Sequence, residues 1–252
     1  MPLSGVRDVA PLVEQAPAME GLKTEPTELR GTEILHILYE IASAEMLEIL
    51  PKALHPTIPP TATFWVWHCP ESEAGPFTLA QVRIGCRAGV RPRGWPTVAY
   101  CDSARAADWL SKRWGFPCRE GQCDVRLRHL HDRVVATVRT GDSELLHAEL
   151  VDPQPISGAD VQYTASMHLA RVPYADGLEP RLVQVDPEFT FHKAERGRPQ
   201  ITSFSQPAWS AEGVKPVYGV SATYAVADIT LPRIRYVMNP DLPAMQGTET
   251  VG

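Results

Sequence analysis

The sequence predicts a mainly β (α+β) protein, in which antiparallel strands outnumber two or so short helices. The first observation is that 24 of the 252 residues are prolines, which is nearly double the usual share of about 5% and disfavours helix interiors. The second is that β-branched or alternating apolar segments recur along the chain between Pro and Gly turns. A hydrophobic content of 44% with 21% charged residues is typical of a folded globular protein.

The first elements are a strand and a short helix near residue 33. ILHILYEI (34–41) is a run rich in branched apolar residues, so we expect the fold to begin near Glu33 with this strand. Ser43 is the predicted N-cap of a short helix, AEMLEIL, with Glu45 in its first turn and Pro51 at its end.

The central strands follow. TATFWVWH (61–68) carries large apolar side chains on both faces and is expected to lie in the middle of the sheet. FTLAQVRIGC (77–86) alternates apolar and polar residues, and the segments 122–130 and 132–138 read as a hairpin. Further strands are predicted in four later segments: 161–172, 181–185, 189–193 and 222–238.

A second helix is predicted over ARAADWLSKRW. Ser103 is a suitable N-cap, and Gly115 is a suitable terminator. Ala106, Leu110 and Trp114 fall on one side of this helix at helical spacing, which indicates that this side is buried.

Composition and charge restrict the classes of partner and the cellular location that we expect for this protein. The formal charge is −6, so no basic field is present to hold a phosphate backbone and we expect no nucleic-acid partner. No apolar run approaches 18 residues, and the first thirty residues have no signal-peptide core, which predicts a cytoplasmic protein with no membrane partner. The five cysteines have no CxxC spacing and are typical of reduced thiols. We expect no metal site and no cofactor.

Three regions are predicted from this pattern. Residues 1–30 read as an extended N-terminal arm, residues 31–240 as a single domain and residues 241–252 as a C-terminal tail.

Four segments in collinear order resemble the acetoacetate decarboxylase family: LYEIASAEMLEILPKAL (38–54), WLSKRWGFPCREGQCDVRL (109–127), MHLARVPYADGLEPRLVQV (167–185) and SATYAVADITLPRIRYV (221–237). The resemblance implies a cone or barrel of antiparallel strands around an apolar pocket, and a homo-oligomer. It also implies a small hydrophobic molecule as ligand or substrate.

The resemblance places a cysteine where the family's decarboxylases have their catalytic lysine. That lysine corresponds to Cys118, and the neighbouring lysine corresponds to Arg119. A thiol cannot form the iminium through which those enzymes decarboxylate a keto acid. Of the five lysines in the chain, Lys112 is the nearest in sequence, six residues upstream.

The family's polar pocket residues are also replaced. Its two pocket glutamates correspond to Leu79 and to Phe64 or Trp65, and its pocket arginine falls near Thr32. Aromatic walls suit an apolar or planar ligand. The expected pocket residues are Phe64, Trp65, Leu79, Trp114 and Phe116, with a plain role in the core as the alternative.

The candidate catalytic residues are Cys118, Arg119, Tyr100 and His147. A guanidinium next to a thiol favours the thiolate, although a buried, inert cysteine is the alternative. A histidine facing the pocket can act as a general acid or base, and His36 and His168 also lie in strand-like segments.

Three functions are compatible with these residues. The first is an enzyme without a Schiff base that uses acid–base or shape-directed lyase, isomerase or cyclase chemistry on a hydrophobic carbonyl or carboxylate metabolite. The second is a non-catalytic protein that binds a hydrophobic small molecule. The third is a decarboxylase whose lysine has moved to another position.

Overall fold

One large sheet dominates the computed structural model, which describes residues 3–42, 46–119 and 121–252. Its strands are β1 (Thr27–Ile41), β2 (His55–Pro56), β3 (Thr61–Cys69), β4 (Phe77–Ala88), β5 (Arg91–Cys101), β6 (Asp124–His129), β7 (Arg133–Thr140), β8 (Ser143–Pro155), β9 (Ser166–Tyr174), β10 (Gly177–Val185), β11 (Glu188–Phe204), β12 (Pro216–Leu231), β13 (Tyr236–Met238) and β14 (Thr248–Thr250). The helices are α1 (Ala10–Val13), α2 (Met46–Ile49), α3 (Ala104–Trp114) and α4 (Ala244–Gly247). The mainly β prediction is confirmed.

The strand order is β14-β13-β10-β9-β5-β4-β3-β1-β12-β11-β8-β7-β6, with β2 paired to β4. Neighbouring strands pair antiparallel except for β5 and β9, which are parallel. The sheet curls so that β6, at one end of this order, contacts β3 and β4. No helix in the described ranges is long and apolar enough to cross a membrane.

The two faces of β3 and β4 lie in different cores, because successive side chains of a strand point to opposite sides. Phe64, Val66, Ala80 and Val82 belong to one buried apolar cluster; this side is called the Phe64 face. The opposite side, called the Trp65 face, carries Trp65, Trp67, Leu79, Gln81 and Arg83. Both faces of the central strands are therefore covered, as the sequence predicted.

Helix α3 covers part of the Trp65 face. The Ser103 hydroxyl accepts a hydrogen bond from the Ala106 backbone N–H at 3.3 Å, and Gly115 ends the helix with a φ of 66°. Ala106, Leu110 and Trp114 are buried. The predicted cap, terminator and buried side of this helix are confirmed.

Both ends of the chain are tied to the sheet. The N-terminal segment, expected as an extended arm, packs against the body and buries Val9 and Met19, and β1 begins at Thr27 rather than near Glu33. Residues 241–252, expected as a tail, contain α4 and the edge strand β14. The predicted cap Ser43 and first-turn Glu45 lie outside the described residues, and the helix they were assigned to is present as α2.

Candidate functional site

Cys118 lies just after α3, on a segment held against β5. The Ala99 backbone N–H donates to the Pro117 carbonyl at 2.8 Å, and the Arg119 backbone N–H donates to the Ala99 carbonyl at 2.9 Å. Burial is the main cause that raises the pKa of the Cys118 thiol to about 12; the hydrogen bond with Ser111 lowers this pKa, and the nearby Cys123 raises it. The thiol is therefore protonated at neutral pH, which opposes the predicted activated thiolate.

The other candidate catalytic residues do not join Cys118. The Arg119 guanidinium donates to the Ser210 hydroxyl at 2.8 Å, and the Tyr100 hydroxyl donates to the Ala208 carbonyl at 2.7 Å. His147 lies on β8, which is separated from β5 by five strands in the sheet order, and its Nε2 is 3.0 Å from a Glu149 carboxylate oxygen. The structure thus does not assemble the four residues into one site.

The five expected pocket residues lie on two opposite faces of the sheet. Trp65, Leu79, Trp114 and Phe116 belong to the buried cluster on the Trp65 face. Phe64 lies on the opposite face, where its ring is 5.1 Å from that of Phe204. The prediction of a shared lining is therefore wrong for Phe64, because adjacent residues of a strand cannot face the same side.

A buried arginine is the main polar feature of the Trp65 face. Arg83 is 1% exposed, and its guanidinium carbon lies 3.8 Å from the centroid of the Trp65 ring. Its Nε and Nη2 atoms donate to the Gln81 Oε1 atom at 2.8 and 2.6 Å. Burial lowers the pKa of Arg83 to about 9, so the group is still cationic at pH 7, and no carboxylate in the described part of the chain offsets that burial.

Two buried histidines lie near this cation. The His168 Nδ1 atom is 2.8 Å from the Trp114 carbonyl, and its ring is 4.4 Å from that of Phe116. The His36 ring is 5.2 Å from that of Trp65. Burial is the main cause that lowers the pKa of each histidine to about 3, and the positive charge of Arg83 also lowers it. Both histidines are therefore neutral at pH 7.

Several buried polar atoms here have no hydrogen-bond partner among the described residues. The residues Arg83, Gln81, His36, His168 and Trp65 are called the Arg83 cluster. The unpartnered atoms in and around it are Arg83 Nη1, Gln81 Nε2, His168 Nε2, Trp65 Nε1, Trp67 Nε1 and Ser166 Oγ. Native proteins pair the great majority of such atoms, so this group of exceptions requires an explanation, and a bound ligand is one that fits.

Three half-buried aromatic rings cover one side of the cluster. Tyr163 lies 4.9 Å from Trp65 and 5.0 Å from His36, measured between ring centroids. Phe189 is 5.1 Å and Phe191 is 5.7 Å from Tyr163. Tyr163 belongs to an irregular segment before β9. These rings separate the Arg83 cluster from solvent.

A surface pocket lies at a different place. A polar pocket of about 350 Å³ lies beside β6 and the turn between β7 and β8, and it is lined by Gln122, Cys123, Asp124, Arg139, Gly141 and Asp142. We place the candidate site at the Arg83 cluster, because binding sites combine apolar walls with a few converging polar groups. Sequence reasoning missed Gln81 and Arg83 and assigned the catalytic histidine to His147. The usable signal was two polar residues on a strand with apolar neighbours on both sides.

Comparison with known proteins identifies the scaffold. The sequence profile described as "Acetoacetate decarboxylase (ADC)" matches residues 11–240, whereas no curated protein matches. The acetoacetate decarboxylase of Legionella pneumophila is similar in structure, with a TM-score of 0.71 and 18% identity over 87% of this chain and 90% of that chain. The enduracididine biosynthesis enzyme MppR in complex with pyruvate has a TM-score of 0.66 and 16% identity over 87% and 97% of the two chains.

An acetoacetate decarboxylase-like enzyme from Sphingomonas wittichii RW1 is a third similar structure. It has a TM-score of 0.67 and 16% identity, and the alignment covers 87% of this chain and 98% of that one. Because the profile match spans most of the sequence, the chain belongs to the acetoacetate decarboxylase family.

Proposed function

We propose that this protein is an enzyme on the acetoacetate decarboxylase scaffold that works without a lysine Schiff base. Its chemistry is acid–base or shape-directed lyase, isomerase or cyclase chemistry on a hydrophobic carbonyl or carboxylate metabolite. The observation that supports this proposal is the cysteine at position 118, whose thiol has a pKa raised by burial, at the position that the resemblance assigns to the family's lysine.

The remaining lysines support the proposal, because none of them is buried. Lys23, Lys52, Lys193 and Lys215 are exposed, and Lys112 is half-exposed with its Nζ atom 2.8 Å from an Asp108 carboxylate oxygen. This hydrogen bond raises the pKa of Lys112. A Schiff-base lysine needs the opposite, a pKa lowered by burial or by a second cation. The alternative of a relocated lysine is therefore disfavoured.

His168 presents a hydrogen-bond acceptor to a bound substrate. The Trp114 carbonyl can only accept a hydrogen bond, so Nδ1 carries the proton and Nε2 has a free lone pair. Nε2 is buried and has no partner among the described residues. Because burial lowers the pKa of His168 to about 3, this neutral imidazole is suited to orienting a substrate hydroxyl or N–H group and is a weak base at pH 7.

The solved relatives support the substrate class. MppR is similar in fold and was determined with pyruvate, a small keto acid. A carboxylate or carbonyl compound fits the buried donors of the Arg83 cluster in this chain, and the surrounding aromatic rings favour an apolar or planar body.

A non-catalytic binding protein is the second candidate. Within the described residues, no histidine or carboxylate is hydrogen-bonded to Cys118 or Tyr100, which favours binding over catalysis at that position. Native mass spectrometry of the purified protein separates the two: a ligand retained unchanged over days supports a carrier, and its conversion supports an enzyme.

Borohydride reduction with pyruvate or acetoacetate, followed by intact mass measurement, tests the proposal. We expect no mass gain, and a lysine-dependent acetoacetate decarboxylase treated in parallel is the positive control. A reduced adduct on this protein would overturn the proposal. The Lys112→Arg variant would then show whether Lys112 carries the adduct.

A further inference from the structure

We infer that the Arg83 cluster is a binding site for the carboxylate of a planar organic acid, with the Arg83 guanidinium as its anchor. This inference rests on the proposed function, since it names the ligand class of the same site. The carboxylate-binding residue is Arg83 on β4. It does not occupy any of the positions that the resemblance assigns to the family's lysine, glutamates and arginine.

The charge of Arg83 is the first argument. The guanidinium is 1% exposed and is supported by a neutral amide and the Trp65 ring. Removing an uncompensated cation from water is costly, and proteins normally pair such a charge with an anion. A bound carboxylate completes this environment, because it accepts parallel hydrogen bonds from a guanidinium.

The orientation of the neighbouring donors is the second argument. Gln81 uses its Oε1 atom to accept two hydrogen bonds from Arg83, which leaves the donors of its Nε2 atom free. The Arg83 Nη1 atom is also unpartnered. Guanidinium and amide N–H groups together form a donor set for two carboxylate oxygens.

The backbone around Arg83 makes room for this arrangement. Gly94 on β5 pairs with Gly85 on β4 and with Ser166 on β9. A Cβ atom at Gly94 would lie only 3.1 Å from the Cβ and Cδ atoms of Arg83. Glycine at this position therefore lets the arginine lie flat between Trp65 and the strand beside it.

The aromatic residues define the rest of the ligand. The Trp65 ring packs on Arg83, and the Phe189 ring is stacked on Trp65 at 6.3 Å with an interplanar angle of 23°. Flat walls of this kind favour a flat ligand body. The half-buried Tyr163 ring lies 4.9 Å from that of Trp65, so Tyr163 is the side chain that must move to admit a flat ligand between the two rings.

Isothermal titration calorimetry with benzoate tests the inference, with benzamide as the uncharged control of the same shape. We expect the natural protein to bind benzoate with a dissociation constant of about 1 mM or tighter and to bind benzamide at least about tenfold more weakly. An adventitious site for any aromatic compound would instead bind both equally, which would overturn the inference. Absence of benzoate binding at about 10 mM would overturn it as well.

Two variants assign the binding to Arg83. We expect Arg83→Met to lose benzoate affinity by at least about tenfold, and Arg83→Lys, which keeps the charge but not the planar fork, to lose less. If Arg83→Met does not fold, Arg83→Lys alone decides the question. Unchanged affinity in a folded variant would show that benzoate binds elsewhere. The borohydride result is independent of these titrations, so failure of the inference and failure of the proposed function are distinguishable.

Discussion

The two faces of β3 and β4 are built from the same strands but differ in how their polar groups are treated. The Phe64 face is apolar, with Phe64, Val66, Ala80 and Val82 all within one buried cluster. The Trp65 face places Gln81 and Arg83 among tryptophans, and several of its polar atoms have no hydrogen-bond partner within residues 3–42, 46–119 and 121–252. The comparison indicates that one face stabilises the fold and that the other gives up stability for a binding site.

The largest expected effect is on the Phe64 face. Phe64→Ala should lower the free energy of unfolding by about 3–5 kcal/mol, because it leaves a cavity against Phe204 and Tyr39. Urea denaturation measures this, with Phe64→Leu as the matched control that keeps most of the volume. A loss below 1 kcal/mol, taken as roughly the scale of a surface change, would contradict the role assigned to this face.

The histidines of the Trp65 face should make stability depend on pH. Their folded pKa values of about 3 lie below the ordinary value of 6.5, so the unfolded state binds more protons and stability falls as the pH falls from 6.5 towards 3. At pH 5 each histidine should cost about 2 kcal/mol relative to pH 7.

Urea denaturation at pH 7, 6 and 5 checks this dependence. His168→Gln should remove about half of it, whereas His131→Gln replaces an exposed histidine and is the control. The same pH dependence in His168→Gln as in the natural protein would show that His168 is not buried as a neutral group.

Removing the buried charge of Arg83 should increase stability, which is the opposite of the effects described above. The double variant Gln81→Leu/Arg83→Met replaces an unpaired cation and its amide partner by apolar side chains of similar size, which should raise the free energy of unfolding by on the order of 1–3 kcal/mol. Calorimetric unfolding without added ligand measures it. A lower stability than that of the natural protein would show that Arg83 has a structural role instead.

The smallest effect on stability is expected at Cys118, the position that the resemblance assigns to the family's lysine. Cys118→Ala should change the free energy of unfolding by about 1 kcal/mol at most and should leave benzoate affinity within about twofold. Iodoacetamide should label Cys118 far more slowly at pH 7 than it labels glutathione, because burial raises the pKa of this thiol to about 12. Labelling as fast as that of glutathione would restore Cys118 as a candidate nucleophile.

Local patterns in the sequence predicted the parts of the fold that depend on local chemistry. Ser103 and Gly115 set the ends of α3. A branched apolar run predicted β1, large apolar residues on both faces predicted β3, and alternation predicted β4. The strand β8 and the edge strand β14 were not predicted as such, because their patterns gain meaning only from the strands beside them. These two strands form because they pair with neighbouring strands in the folded protein.

The candidate site depended even more on tertiary structure. Alternating polar residues in FTLAQVRIGC are expected to face water, and only the packing of Trp65 against Arg83 shows that they are buried. Similarly, His36, His147 and His168 are equivalent in sequence, and the covering of the Trp65 face by α3 and Phe116 distinguishes His168.

A crystal structure of the protein soaked with 3-bromobenzoate shows whether the ligand occupies the Arg83 cluster, because the anomalous signal of bromine locates the ligand. We expect bromine density between Trp65 and Tyr163, with the carboxylate within about 3.2 Å of the Arg83 Nη1 atom. Bromine density only at the surface pocket lined by Cys123 and Arg139, with Arg83 unchanged, would contradict this expectation.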